Sequence, residues 1–176
     1  SDVILRSSDL VSFHVHKTVL SLSSPFFADM FSLPQPSTSS SSPPVARDDD
    51  GLPVIEMAET EEELMTMLAF CYPISEPDIA DFRLLTRALV VARKFDMESM
   101  RLRLKRQLAS FVTRFPERTF AVAWAHGMHD VARAAARESL RAPLATVQYV
   151  EEFELVSGGA LFALLKYQRR CVDAVL

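Results

Sequence analysis

Two short runs rich in β-branched and aromatic residues open the chain. Asp2–Arg6 (DVILR) is apolar through its middle, whereas in Val11–His16 (VSFHVH) the apolar Val11, Phe13 and Val15 alternate with Ser12, His14 and His16. Strict alternation is the period of a strand with one covered face. Ser7-Ser8-Asp9 is a turn-forming spacer that lets the two runs pair as a hairpin. From Lys17 the spacing lengthens. Val19, Leu20 and Leu22 lead to Ser24-Pro25, a capping residue followed by a proline suited to a first helical turn, and then to Phe26, Phe27, Met30 and Phe31. The pattern predicts two short helices after the hairpin.

Leu33–Gly51 then collapses into Pro, Ser and Thr followed by Arg47-Asp48-Asp49-Asp50, with too little apolar surface to offset ordering entropy, and reads as a flexible surface insertion. Pro53–Met57 (PVIEM) has the character of a third strand returning to the first two. Thr60 with Glu63 three residues on is a capping-box pattern that starts a helix running to about Tyr72, with Leu64, Met67, Leu68 and Cys71 on one face and Pro73 ending it. Leu84, Leu85, Ala88, Leu89, Ala92 and Phe95 trace a further helical stripe, and Met97, Met100, Leu104, Leu108 and Phe111 another.

Beyond this α+β core the pattern is helical throughout. One helix begins near Pro116-Glu117, and Phe120, Trp124, Met128, Val131 and Ala135 share a face, interrupted near Gly127, with Asp130 as a candidate cap for the second member. Pro143 separates this pair from a last helix starting after Ser157-Gly158-Gly159 that should bury Leu161, Leu164 and Leu165. The expected fold class is therefore α+β, a small, mostly three-stranded sheet packed with a helical cluster and followed by an all-α extension. The expected division is residues 1–113, with the insertion at 33–51, and residues 114–176.

Composition narrows the function classes. Of 176 residues 49% are apolar, enough to bury a real core, and the net charge of -4 gives no global attraction to phosphate backbones or anionic membranes. Cys71 and Cys171, the only cysteines, are far apart and read as free thiols in a reducing compartment, the cytoplasm or nucleus. No apolar run approaches the roughly 18 residues of a membrane-spanning helix, and no leader pattern is visible, so a soluble intracellular domain is expected. The opening inside a strand-like run suggests an excerpt of a longer protein.

Catalytic and ligand-binding constellations are weak. His14 with His16, and His126 with His129, offer two ligands each where zinc needs three or four. The serines lack a glycine-flanked elbow, and four glycines in the whole chain leave little for a phosphate-cradling loop. Glu61, Glu62 and Glu63 sit where a helix dipole stabilises carboxylates without any catalytic role. Arg101, Arg103, Lys105 and Arg106, with Arg114 and Arg118, form the sharpest basic grouping, but without interleaved exposed aromatics it reads as a solvated helix face rather than a nucleic-acid site. No enzyme, no metal and no cofactor is expected. Phe26, Phe27, Met30 and Phe31 are more apolar than one small helix buries on a single face, and are either all core or in part a self-association surface.

Asp2-Val3-Ile4-Leu5, then Phe13-His14-Val15-His16-Lys17, Leu20, Ser24-Pro25-Phe26-Phe27 and Met30-Phe31 together resemble the opening of the BTB/POZ family. The resemblance continues through the third strand, the acidic-start helix ending Phe70-Cys71-Tyr72 and the helix with Ala92-Arg93-Lys94-Phe95, covering about residues 1–112. The later helices resemble the BACK-like extension that follows many such domains. The resemblance implies a protein-interaction scaffold with protein partners, a homodimer among them. In some members the positions of Asp2 and Lys17 form a charged pocket near the dimer groove; the alternative is an internal ion pair between strand and helix. The family's exchanged N-terminal segment would have to precede Ser1. A narrower implication is a substrate adaptor of cullin-3 ubiquitin ligases, whose apolar-x-Glu marker is here Met30-Phe31-Ser32-Leu33-Pro34-Gln35, without the glutamate. Another is a transcription-linked module, which needs a DNA-binding segment outside these residues. The family's Tyr-Thr-Gly-type turn appears as Tyr72-Pro73-Ile74-Ser75.

Overall fold

The computed structural model describes residues 1–33, 51–72, 77–141 and 149–174. The expectations for the insertion at 34–50, the turn at 73–76 and the break at Pro143 lie outside the described residues. The chain forms two compact units, one of Ser1–Ile79 and Arg87–Leu102, the other of Ala80–Thr86 and Arg103–Leu176.

In the first unit β1 (Val3–Arg6), β2 (Ser12–Val15) and β3 (Val54–Glu56) make a sheet in the order β2-β1-β3. β1 runs antiparallel to β2, with Val3 opposite Val15, and parallel to β3, with Ile4 opposite Val54. β1 reads as an unbroken apolar run because it is the central strand, and Val3, Ile4 and Leu5 are all buried. β2 lies at the edge and alternates, with Val15 inside and Ser12 and His14 exposed. The reversal between them is tighter than a free loop. Buried Ser7 accepts from Val11 N–H through Oγ at 2.9 Å, and Leu10 takes a left-handed φ of 67°, uncommon for leucine.

Five helices follow in order: α1 (Lys17–Ser23), α2 (Pro25–Ser32), α3 (Glu61–Cys71), α4 (Phe82–Lys94) and α5 (Glu98–Ser110), the last two supplying residues to both units. The capping box of α3 is formed, Glu63 N–H donating to Thr60 Oγ1 at 3.4 Å and Thr60 N–H to Glu63 Oε2 at 2.9 Å. Arg87 joins Glu62 and Glu63, which gives the acidic helix start a structural partner. At the end of α4, Asp96 adopts a φ of 50° while Asp96 N–H and Met97 N–H return to the carbonyls of Arg93 and Ala92. That is the Schellman arrangement with aspartate in the place glycine usually takes.

The second unit adds α6 (Pro116–Ala125), α7 (His129–Glu138), 3-10 turns at Ser139–Arg141 and Glu151–Leu155, and α8 (Gly158–Asp173). α6 and α7 meet through small residues, with Ala121, Ala123, Ala132 and Ala135 fully buried, so their backbones approach closely. Gly127 makes the break expected between them, at φ 70° in a second Schellman turn.

Trp124 lies on the face of Phe120, its ring stacked on Phe120 and edge-on to His129, and is half exposed at the last turn of α6. Two expectations are corrected here. Asp130 is not the cap of α7; Met128 holds that position, and Asp130, in the first turn, takes Lys105 Nζ at 2.8 Å. On α8 only Leu164 of the three expected leucines is buried, since that helix packs through the line Ala160, Leu164, Gln168.

Polar cohesion in this unit centres on Arg118. Its Nε lies 3.0 and 2.9 Å from the two carboxylate oxygens of Glu152, and its guanidinium stands 4.6 Å from the Phe82 ring centroid and 5.3 Å from that of Phe115. Burial alone would raise the Glu152 carboxyl, but the bonds from Arg118 and a backbone N–H outweigh it and hold the group below the usual carboxylate range. A depressed folded-state value stabilises the fold above the unfolded carboxyl range and is lost as pH falls through it. Glu152→Gln is therefore expected to lower stability by about 1–2 kcal/mol at neutral pH, with the difference from wild type shrinking as pH falls from the usual carboxylate range through the depressed value of Glu152. Urea unfolding across pH checks this; a variant as stable as wild type at neutral pH contradicts it.

Candidate protein-interaction surface on the first two helices

The surface begins at the start of α1. Asp2, on the chain just before β1, accepts Lys17 N–H through Oδ1 at 2.8 Å and so satisfies one of the open amides of the helix start. The Asp2–Lys17 ion pair considered from the sequence is thus corrected to a carboxylate-to-backbone cap. The Lys17 ammonium stands 5.7 Å from the centroid of the Phe31 ring instead. His16 N–H donates to Tyr72 Oη at 3.0 Å, which ties the same helix start to the end of α3, and His16 Nδ1 lies 3.2 Å from that hydroxyl.

Between α1 and α2, Ser24 is fully buried. Its Oγ accepts Phe27 N–H at 3.2 Å as the expected cap of α2 and donates to the carbonyl of Phe95, the C-cap residue of α4. α2 is thereby fixed against the end of α4. Phe27 stacks on Phe95 with centroids 5.1 Å apart and is buried, while Phe26 meets both rings edge-on and stays 44% exposed. Met30 and Phe31 are half-buried, and Phe31 stacks on Phe27 at 6.0 Å. The four apolar residues of α2 therefore divide, Phe27 to the core, Phe26 to the surface, Met30 and Phe31 to the margin.

Leu22 on α1 is 84% exposed and Leu33 just past α2 is 64% exposed. Leu22, one of the apolar positions leading to Ser24, thus lies at the surface rather than in the core. Its signal was present, because Leu20 is buried and a residue two positions on lies about 200° around the helix. Cys71 is half-buried, and burial pushes its thiol up to about 11 despite a bond from Ser23, which disfavours the thiolate at neutral pH. Among the described residues no three His, Cys, Asp or Glu side chains converge as metal ligands. The basic grouping is dispersed: Arg101 is bidentate to Glu98 at 2.7 Å, Lys105 pairs with Asp130, Arg114 lies over Phe115 and Arg118 is taken by Glu152.

The family model of the BTB/POZ domain matches residues 1–111, and the chain belongs to that family. No curated protein matches it. BTB/POZ domains are protein-interaction modules and not an enzyme family. No described helix is long and apolar enough to cross a membrane.

The division within α2 is testable. Phe27→Ala empties a packed site and is expected to cost about 3–5 kcal/mol. Phe26→Ser should change monomer stability by less than about 1 kcal/mol. Equal losses in denaturant titrations of the two variants would contradict the division.

Proposed function

We propose that the chain is a self-associating protein-interaction scaffold whose contact surface is built on α1 and α2. The observation that carries this reading is the exposure of three large apolar side chains on or just past α1 and α2, Leu22, Phe26 and Leu33, with Met30 and Phe31 half-buried on α2, the kind of surface that serves association. Phe26 is suited to be its anchor, since its ring is held edge-on by Phe27 and Phe95 and loses little freedom on contact. Asp2 and Lys17 lie at the start of α1, where they contribute a charged rim.

The family domain occupies residues 1–113, and residues 114–176 form a BACK-like helical extension. The protein works inside the cell, cytoplasmic or nuclear, which two free cysteines favour, and it recruits protein partners without catalysis or a cofactor. A role as cullin-3 adaptor is a narrower form of the same reading. The absence of glutamate from Met30-Phe31-Ser32-Leu33-Pro34-Gln35 argues against it, and a pull-down with purified cullin-3 that retains the chain would restore it.

Light scattering coupled to size exclusion at micromolar concentration tests self-association. Twice the chain mass is expected, with Phe26→Asp returning to one chain mass while keeping its helical circular dichroism. A strict monomer for the unsubstituted chain would sink the dimer.

A further inference from the structure

α8 is held to its unit by a narrow stripe. Of its 16 residues only Ala160, Leu164 and Gln168 are buried, and Gln168 is fixed by a 2.8 Å bond from Nε2 to Ser139 Oγ. The outer face carries Phe162, Leu165, Arg169 and Val172 at i, i+3, i+7 and i+10. These are the a-d-a-d positions of a heptad seam. Phe162 is 67% exposed and Val172 47%.

The charge on this helix is one-sided. Lys166, Arg169 and Arg170 have no ion pair among the described residues, and Asp173 is the only acidic residue of α8. In the same unit Arg83 with Glu151 and Lys105 with Asp130 are matched locally, whereas the exposed Arg106, Arg114, Arg133 and Arg137 have no ion pair among the described residues; what sets α8 apart is three such cations on one helix against a single acidic residue. Arg169 lies between Phe162 and Leu165 around the helix rather than at the border of the apolar strip.

We propose that this face docks an acidic amphipathic helix of a partner protein, about two heptads long, apolar where it meets Phe162, Leu165 and Val172 and bearing a carboxylate opposite Arg169. Heptad spacing selects a helix over an extended peptide, whose side chains repeat every second residue. The unmatched cations select acidic character. An anionic membrane is disfavoured by the position of Arg169, because a helix lying in the interface buries its apolar strip and keeps its cations on the polar face. The surface lies on the second unit and does not depend on self-association through α1 and α2.

The test uses the full chain and a fluorescein-labelled synthetic helix of about 18 residues, with leucine at its a and d positions and glutamate at the position facing Arg169. Anisotropy is expected to show saturable binding with a dissociation constant on the order of 10 μM. Arg169→Glu should weaken it about tenfold, and a probe with lysine in place of that glutamate should recover the loss. Phe26→Ser, on the other unit, should leave binding unchanged. Absence of binding, or binding insensitive to Arg169→Glu, overturns the proposal. So does the alternative in which the probe fails to bind but phosphatidylserine vesicles sediment the chain through Arg169.

Discussion

The placement of α1 and α2 depends on one hydroxyl. The first amides and the last carbonyls of any helix lack partners within it. Ser24 answers one need of each kind, accepting from Phe27 at the start of α2 and donating to Phe95 at the end of α4, 71 residues away. A buried hydroxyl with a single partner would carry a desolvation cost of about 1–3 kcal/mol; with both its donor and its acceptor engaged, Ser24 becomes a clasp. Once α2 starts at that point, helical geometry sends Phe27 onto Phe95 and turns its neighbour Phe26 outward. The exposure of Phe26 is thus a consequence of the clasp rather than a separate feature.

Much of the fold was legible because its signals are local. The alternation in Val11–Val15, the Ser24-Pro25 start and the Thr60-Glu63 capping box each specify a backbone state within a few residues, and each element formed where those signals place it. What the pattern left open involved contacts between distant segments. Whether Phe26 or Phe27 faced the core depended on Phe95, and Asp2 met the backbone of Lys17 rather than its ammonium. The basic grouping read as one solvated face in sequence, yet several of its members found separate acidic or aromatic partners, among them Glu98, Asp130 and Glu152. Such pairings span from 3 to 34 residues, and no short-range period encodes the longer ones.

The two units are stabilised by different means. In the first, a central strand covered on both faces and rings stacked on Phe95 place most of the cohesion in apolar burial. In the second, alanines let α6 and α7 approach closely, and the Arg118 guanidinium, lying over the paired rings of Phe82 and Phe115, secures the segment that carries Glu152. Large apolar side chains also stay at the surface on α8, as Phe26 and Leu22 do on the first unit. Apolar groups exposed by rigid neighbours, rather than by loose packing, are what an interaction module requires.

The central claim is that Leu22, Phe26 and Leu33 form the self-contact. Methyl-resolved NMR of the full chain as a function of concentration reads it most directly. The account predicts concentration-dependent shifts of the Leu22 and Leu33 methyls, with the core methyls of Leu64 and Leu89 unmoved. Spectra independent of concentration, or changes confined to methyls away from α1 and α2, would contradict it.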